Sequence, residues 1–105
     1  MIRQFDVVDN PDPIEAESRP YLLNLQSDLV HELTSTVVAP LVPKADMTGA
    51  RRLNPIVVVE GREFWLATHE LFAIDRRMLN KGAVANLAND RDAVIAALDL
   101  IFTGF

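Results

Sequence analysis

Cysteine is absent from this 105-residue chain. That excludes disulfides, thiolate metal ligands and a thiol nucleophile, and leaves the fold indifferent to redox compartment. Histidine occurs twice, as His31 and His69, without the H-x-x-x-H or cysteine neighbours that a metal centre needs; core or surface histidines are the expectation. A basic excess is missing too. The formal net charge is −5, which argues against a surface built mainly to neutralise nucleic-acid phosphates. No apolar run approaches the ~20 residues of a bilayer span. The opening "MIRQFDVVDNPDP" has charges and prolines where a secretory signal would carry its apolar core, so a cytoplasmic protein is expected. Internal repeats are absent. The length allows one core, read as a single domain over residues 1–105.

What is present reads mostly as strand. "IRQFDVV" (2–8) alternates well enough for a first short strand. "DNPDPIEAESRP" (9–20) carries three prolines and four acids, which suits a mobile acidic loop and neither a helix nor a central strand. "YLLNLQSDLV" (21–30) is strand-like at first, with its second half open to strand or helix. "STVVAPLV" (35–42) is β-branched, with Pro40 expected to confine it to an edge or bulge. Residues 43–54 form a polar connection. "PIVVVEGREFWLAT" places two apolar runs around Glu60-Gly61-Arg62 and predicts a hairpin of strands 56–60 and 63–68. Trp65 within it is expected in the core. "HELFAIDRRML" (69–79) fits a strand through Leu71–Ile74 or a helical turn. "NKGAVANLAN" (80–89) fits a turn with a short strand.

The last segment is helical. Val94, Ile95, Leu98, Ile101 and Phe102 fall on one stripe, Asn89 and Asp92 approximate a capping box, and Gly104 can terminate the helix in a left-handed conformation. Five or more strands and one C-terminal helix are therefore expected. Core packing accounts for this stripe but leaves the final Thr103-Gly104-Phe105 without a reason.

Taken in order, "QFDVV", "LNLQSDLV" (23–30), "VVAPLV" (37–42), "LNPIVVVEGREFWLAT" (53–68) and the terminal "LIFTGF" resemble the CcdB toxins over almost the whole length. The resemblance implies a mainly β fold: a small antiparallel Src-homology-3-like barrel, shared with the Kid and MazF toxins, with a C-terminal helix. It implies a symmetric homodimer, the toxin half of a toxin–antitoxin pair serving plasmid maintenance. Such a toxin binds the A subunit of DNA gyrase, traps the cleaved gyrase–DNA complex, and is neutralised by a CcdA-like antitoxin whose disordered tail folds on contact. No catalysis, cofactor, metal, membrane or direct nucleic-acid binding by the toxin alone is implied.

Residue by residue, the family's terminal Trp-Gly-Ile corresponds to Thr103, Gly104 and Phe105. Its gyrase-facing Asn corresponds to Asp99, and its early-strand Ser and apolar residue to Ser27 and Leu29. The alternatives are an endoribonuclease toxin on the same fold, using Arg76 with Asp75 and His69 (Arg51, Arg52 and Arg77 being further arginines), or a relative that no longer kills. Solvated ion pairs are the plainer reading of those arginines.

Overall fold

The computed structural model describes residues 1–104; the expectation attached to Phe105 lies outside them. Seven strands are followed by one helix: β1 Asp6–Asp9, β2 Tyr21–Asn24, β3 Ser35–Pro43, β4 Ile56–Val59, β5 Arg62–Leu66, β6 Phe72–Asp75, β7 Ala83–Asn86 and α1 Arg91–Thr103. All pairings are antiparallel in the order β4-β5-β3-β2-β1-β7, with β6 beside the first half of β3. The sheet curls into a half-barrel, and the fold is mainly β with a C-terminal helix, as expected. None of the described helices is long and apolar enough to cross a membrane.

Alternating side chains give the sheet a core on each face. Phe5, Val7, Leu23, Leu25, Leu41, Val57, Phe64 and Leu66 fill one, and Val94 of α1 plugs it. Ile2, Val8, Leu22, Val38 and Leu79 fill the other. Thus Leu22 and Leu23 are both inaccessible while pointing to opposite sides. Trp65 lies in the core as expected, its indole N–H donating to the Lys44 carbonyl (3.2 Å). A Cβ at Gly49 would stand 2.4 Å from the indole, so the 43–54 connection crosses it where only glycine fits.

The hairpin forms with a two-residue loop. Glu60 and Gly61 both take positive φ (51° and 78°), the requirement of a primed turn whose twist matches that of the strands. Pro40 departs from expectation. It sits inside β3 rather than on an edge strand, paired with Leu22 of β2 on one side and lying between the β6 and β5 pairings on the other. The Ala67 N–H donates to the Pro40 carbonyl (2.9 Å), and a strand residue points its N–H and C=O to the same side. The missing donor therefore falls where the neighbour of β3 changes from β6, ending opposite Val38, to β5, beginning opposite Leu41.

The first strand begins later than residue 2 because the chain turns at Arg3–Asp6. Phe5 is buried with φ 67°, a conformation costing an aromatic residue about 1–3 kcal/mol. Its N–H donates to Asn24 O (2.7 Å) and its carbonyl accepts from Leu87 N–H (2.8 Å), which hold it there.

Residues 9–20 form a tied arm rather than a mobile loop. Asn10 N–H donates to Pro20 O (3.0 Å), the Asn10 side chain to Arg19 O (2.9 Å), and Asp12 accepts from Ile14 and Glu15 N–H. The second half of 21–30 winds into a 3₁₀ turn at Asp28–Val30. The 69–79 stretch is both of its alternatives, β6 flanked by 3₁₀ turns at Thr68–Glu70 and Arg76–Met78.

The helix starts at Arg91, with Asp90 in the capping position and no side-chain capping bond. Asn89 and Asp92 do not form a capping box because Ala88–Asp90 already wind as a 3₁₀ turn into the helix. Val94 and Ala97 are buried, but Phe102 is 69 % exposed. The buried stripe leans toward Ala97, and the last turn of α1 runs past the core.

Candidate functional surface

Ser27 and Leu29 lie on a loop between β2 and β3. Ser27 caps the 3₁₀ turn through its hydroxyl oxygen, which accepts from Leu29 N–H (3.1 Å). Two further backbone bonds, Val30 N–H to Ser27 O and His31 N–H to Asp28 O, wind the chain tightly. This geometry turns Leu29 outward, where it is 87 % exposed, with Val30 and Leu33 also exposed nearby in sequence. Apolar side chains turned to solvent on an ordered loop suit a contact surface.

Asp99 and Thr103 meet on one face of α1, where the Thr103 hydroxyl donates to the Asp99 carbonyl (2.7 Å). Gly104 follows at φ 80°, its N–H donating to Leu100 O (3.0 Å), and closes the helix in the left-handed form expected of it. The six residues implied by the resemblance thus divide between the loop (Ser27, Leu29) and the helix end (Asp99, Thr103, Gly104), with Phe105 outside the described residues. No hydrogen bond or ion pair joins the two groups among the described residues. Their scaffold is shared: Leu25, just before the loop, and Val94 of α1 belong to the same core. Sequence periodicity placed Phe102 inward and so missed it as part of the exposed helix end.

The residues of the ribonuclease alternative are not assembled. His69 lies before β6 and Asp75 and Arg76 at its far end, separated by a four-residue strand of about 13 Å. Asp75 is tied to Arg77 by a 2.8 Å ion pair and by the Arg77 backbone N–H, which hold its carboxyl down at about 2. The Arg76 side chain is turned the other way, donating through Nε to the Leu33 carbonyl (3.0 Å). His69 Nδ1 faces the Asn54 amide at 3.2 Å; that amide also donates to Leu66 O, so the imidazole nitrogen is the acceptor. Arg51 and Arg52 are exposed on the 43–54 connection.

A groove of about 440 Å³ opens on the other sheet face, between the 9–20 arm and β6. Leu22, Pro40, Phe72, Ile74 and Met78 form its apolar part, and Asp12, Glu15 and the Arg19–Glu70 pair its polar rim. That pair is bidentate, Nε to Oε1 at 2.6 Å and Nη2 to Oε2 at 2.7 Å, and it clamps the arm against the turn before β6. The Arg19 hydrogen bonds, outweighing desolvation, hold the Glu70 carboxyl below its ordinary 4.5. A depressed carboxylate value means that the stabilisation is full above 4.5 and is lost as the pH falls below it toward the folded-state value. Glu70→Gln is expected to release the arm at neutral pH, at a cost of about 1 kcal/mol after solvent screening. In the wild-type protein the same release should begin only below pH 4.5. Amide exchange of residues 10–20 tests both, and equal protection of the variant and wild-type arms at pH 7 would refute the clamp.

No curated protein matches the sequence. The family model described as CcdB protein matches residues 4–104. The match runs from the turn before β1, through the outward-turned loop and the hairpin, to the left-handed glycine after α1. It covers nearly the whole chain, so the protein belongs to the CcdB family, the toxins of toxin–antitoxin pairs.

Proposed function

We propose that this toxin is a gyrase poison: it docks on the gyrase A subunit, holds the enzyme on cleaved DNA and is neutralised by a cognate CcdA-like antitoxin. The observation that carries this reading is the family match over residues 4–104. The exposed Leu29 and Phe102, together with Thr103 and Gly104 at the helix end, agree with a mechanism of contact rather than chemistry. Ser27 and Leu29 form one contact, and Asp99, Thr103, Gly104 and Phe105 the other. A symmetric homodimer, formed in the cytoplasm where gyrase works, presents each twice to a two-fold target. The net charge of −5 and the groove edged by Asp12 and Glu15 suit a basic, partly apolar antitoxin tail that folds as it binds.

The test is expression in two strains, one with wild-type gyrase and one whose gyrase A subunit is altered at the toxin's docking site. Loss of viability is expected in the first only. Equal killing in both strains would remove gyrase as the target.

A further inference from the structure

The loop that carries Leu29 is unusually well tied for a segment with so exposed an apolar tip. At its neck the Gln26 side chain takes the place of a strand neighbour: Oε1 accepts from Val37 N–H (3.3 Å) and Nε2 donates to Ser35 O (3.2 Å). On one flank Asp28 Oδ1 accepts from Gln4 N–H (2.8 Å), while the Gln4 amide donates to Leu25 O (3.1 Å). On the other flank Arg76, just after β6, donates from its backbone to Thr34 O (3.0 Å) and from Nε to Leu33 O (3.0 Å). Two of the ties come from sequence-distant segments, those of Gln4 and Arg76, while the Gln26 tie joins the neck of the loop to β3, the strand that follows it. The loop's own bonds, to Leu29, Val30, His31 and Leu33 N–H, set the shape that these ties then hold.

We infer that Arg76 is a positioning residue: with Gln26 and Asp28 it fixes the 27–34 loop in the shape that presents Leu29 to the gyrase A subunit. This rests on the reading of the chain as a gyrase-binding toxin. The physical reason is entropic. A loop ordered before contact avoids the loss of backbone freedom on binding, and each immobilised residue otherwise costs affinity. Arg76 suits the task because its guanidinium stays charged and its donors are planar and directional, so a single bond to a carbonyl fixes both distance and direction. Its backbone bond to Thr34 O is kept in the alanine and lysine variants, so only the Leu33 tie is altered by those substitutions.

The experiment compares wild type, Arg76→Ala, Arg76→Lys and Leu29→Asp. It measures amide exchange of residues 28–34, binding to a purified gyrase A fragment, antitoxin binding and thermal unfolding. Arg76→Ala is expected to speed exchange in residues 28–34 by roughly tenfold and to weaken gyrase binding roughly fivefold, mainly through faster dissociation. Antitoxin affinity and melting temperature should hardly move, and Arg76→Lys should restore part of the protection. Unchanged exchange in 28–34 overturns the positioning role whatever gyrase does. So does a uniform rise in exchange with a lowered melting temperature, since that marks a general structural part. Leu29→Asp separates the two readings. If it leaves gyrase binding intact, presentation of Leu29 to gyrase is overturned. If it weakens binding while Arg76→Ala does not, the docking reading stands and the positioning role falls.

Discussion

A variant lacking Thr103 to Phe105 is expected to lose killing altogether while folding and binding antitoxin normally. On the helix Val94 and Ala97 are buried and Ile95 and Leu98 pack against the core; the last of them, Leu98, lies about 7.5 Å upstream of Thr103 along the helix axis. Thr103 makes its described hydrogen bond within the helix, to Asp99, and the Gly104 N–H donates to Leu100 O. Among the described residues, truncation therefore removes a helix terminator and no buried side chain, with a stability loss expected below about 1.5 kcal/mol. On the gyrase side it removes a contact of the kind that concentrates binding energy, so affinity should fall at least roughly thirtyfold. Plating efficiency after induction, calorimetry with a gyrase A fragment and with antitoxin peptide, and urea unfolding read the three effects separately. A truncated protein that still kills would displace the working surface from the helix end.

How much of this was legible beforehand varied with the range of the interaction. The hairpin was readable because its signal is local: two apolar runs flank Glu60-Gly61, and the residues that need positive φ are the turn itself. Gly104 was readable for the same reason. The 9–20 arm was not, since its clamp joins Arg19 to Glu70 across 51 positions and composition reports only prolines and acids. The left-handed Phe5 has no sequence signal at all; it is imposed by partners at Asn24 and Leu87. Pro40 misled because proline reads as an edge residue unless the neighbouring strand changes at that point. In the functional surface, Ser27, Leu29 and Asp99 came from family resemblance alone. Arg76 stood out as a charge, but its geometry turns it toward the Leu33 carbonyl rather than toward His69.

Phe64→Ala should also produce a toxin that does not kill, for the opposite reason. Phe64 is among the largest side chains with no exposure, on β5 opposite Val57 of β4 and Pro43 of β3. Tyr21 of β2 meets its ring edge-to-face, with centroids 5.5 Å apart at 79°, and the Arg62 guanidinium carbon lies 5.2 Å from the ring centroid. Truncation to alanine removes the apolar transfer term, the aromatic pair and the cation contact, and leaves a cavity where strands from three parts of the chain converge. The cost is expected at about 3–5 kcal/mol. Against a typical stability of about 5–15 kcal/mol, that is a large share. The urea midpoint should fall accordingly, with the slope unchanged if unfolding stays two-state. Phe64→Leu, which refills much of the volume, should cost well under half as much. Because β5 leads into the 3₁₀ turn against which α1 packs and whose Glu70 lines the groove, the loss is expected to reach α1 and the groove together. Gyrase and antitoxin binding should therefore weaken in parallel, whereas the C-terminal truncation weakens only the first. A Phe64→Ala protein within about 1 kcal/mol of wild type would fall well below that range and would refute the role of Phe64 as a core anchor. Parallel loss in one variant and selective loss in the other is the pattern expected of a scaffold whose working surface is added at its edge.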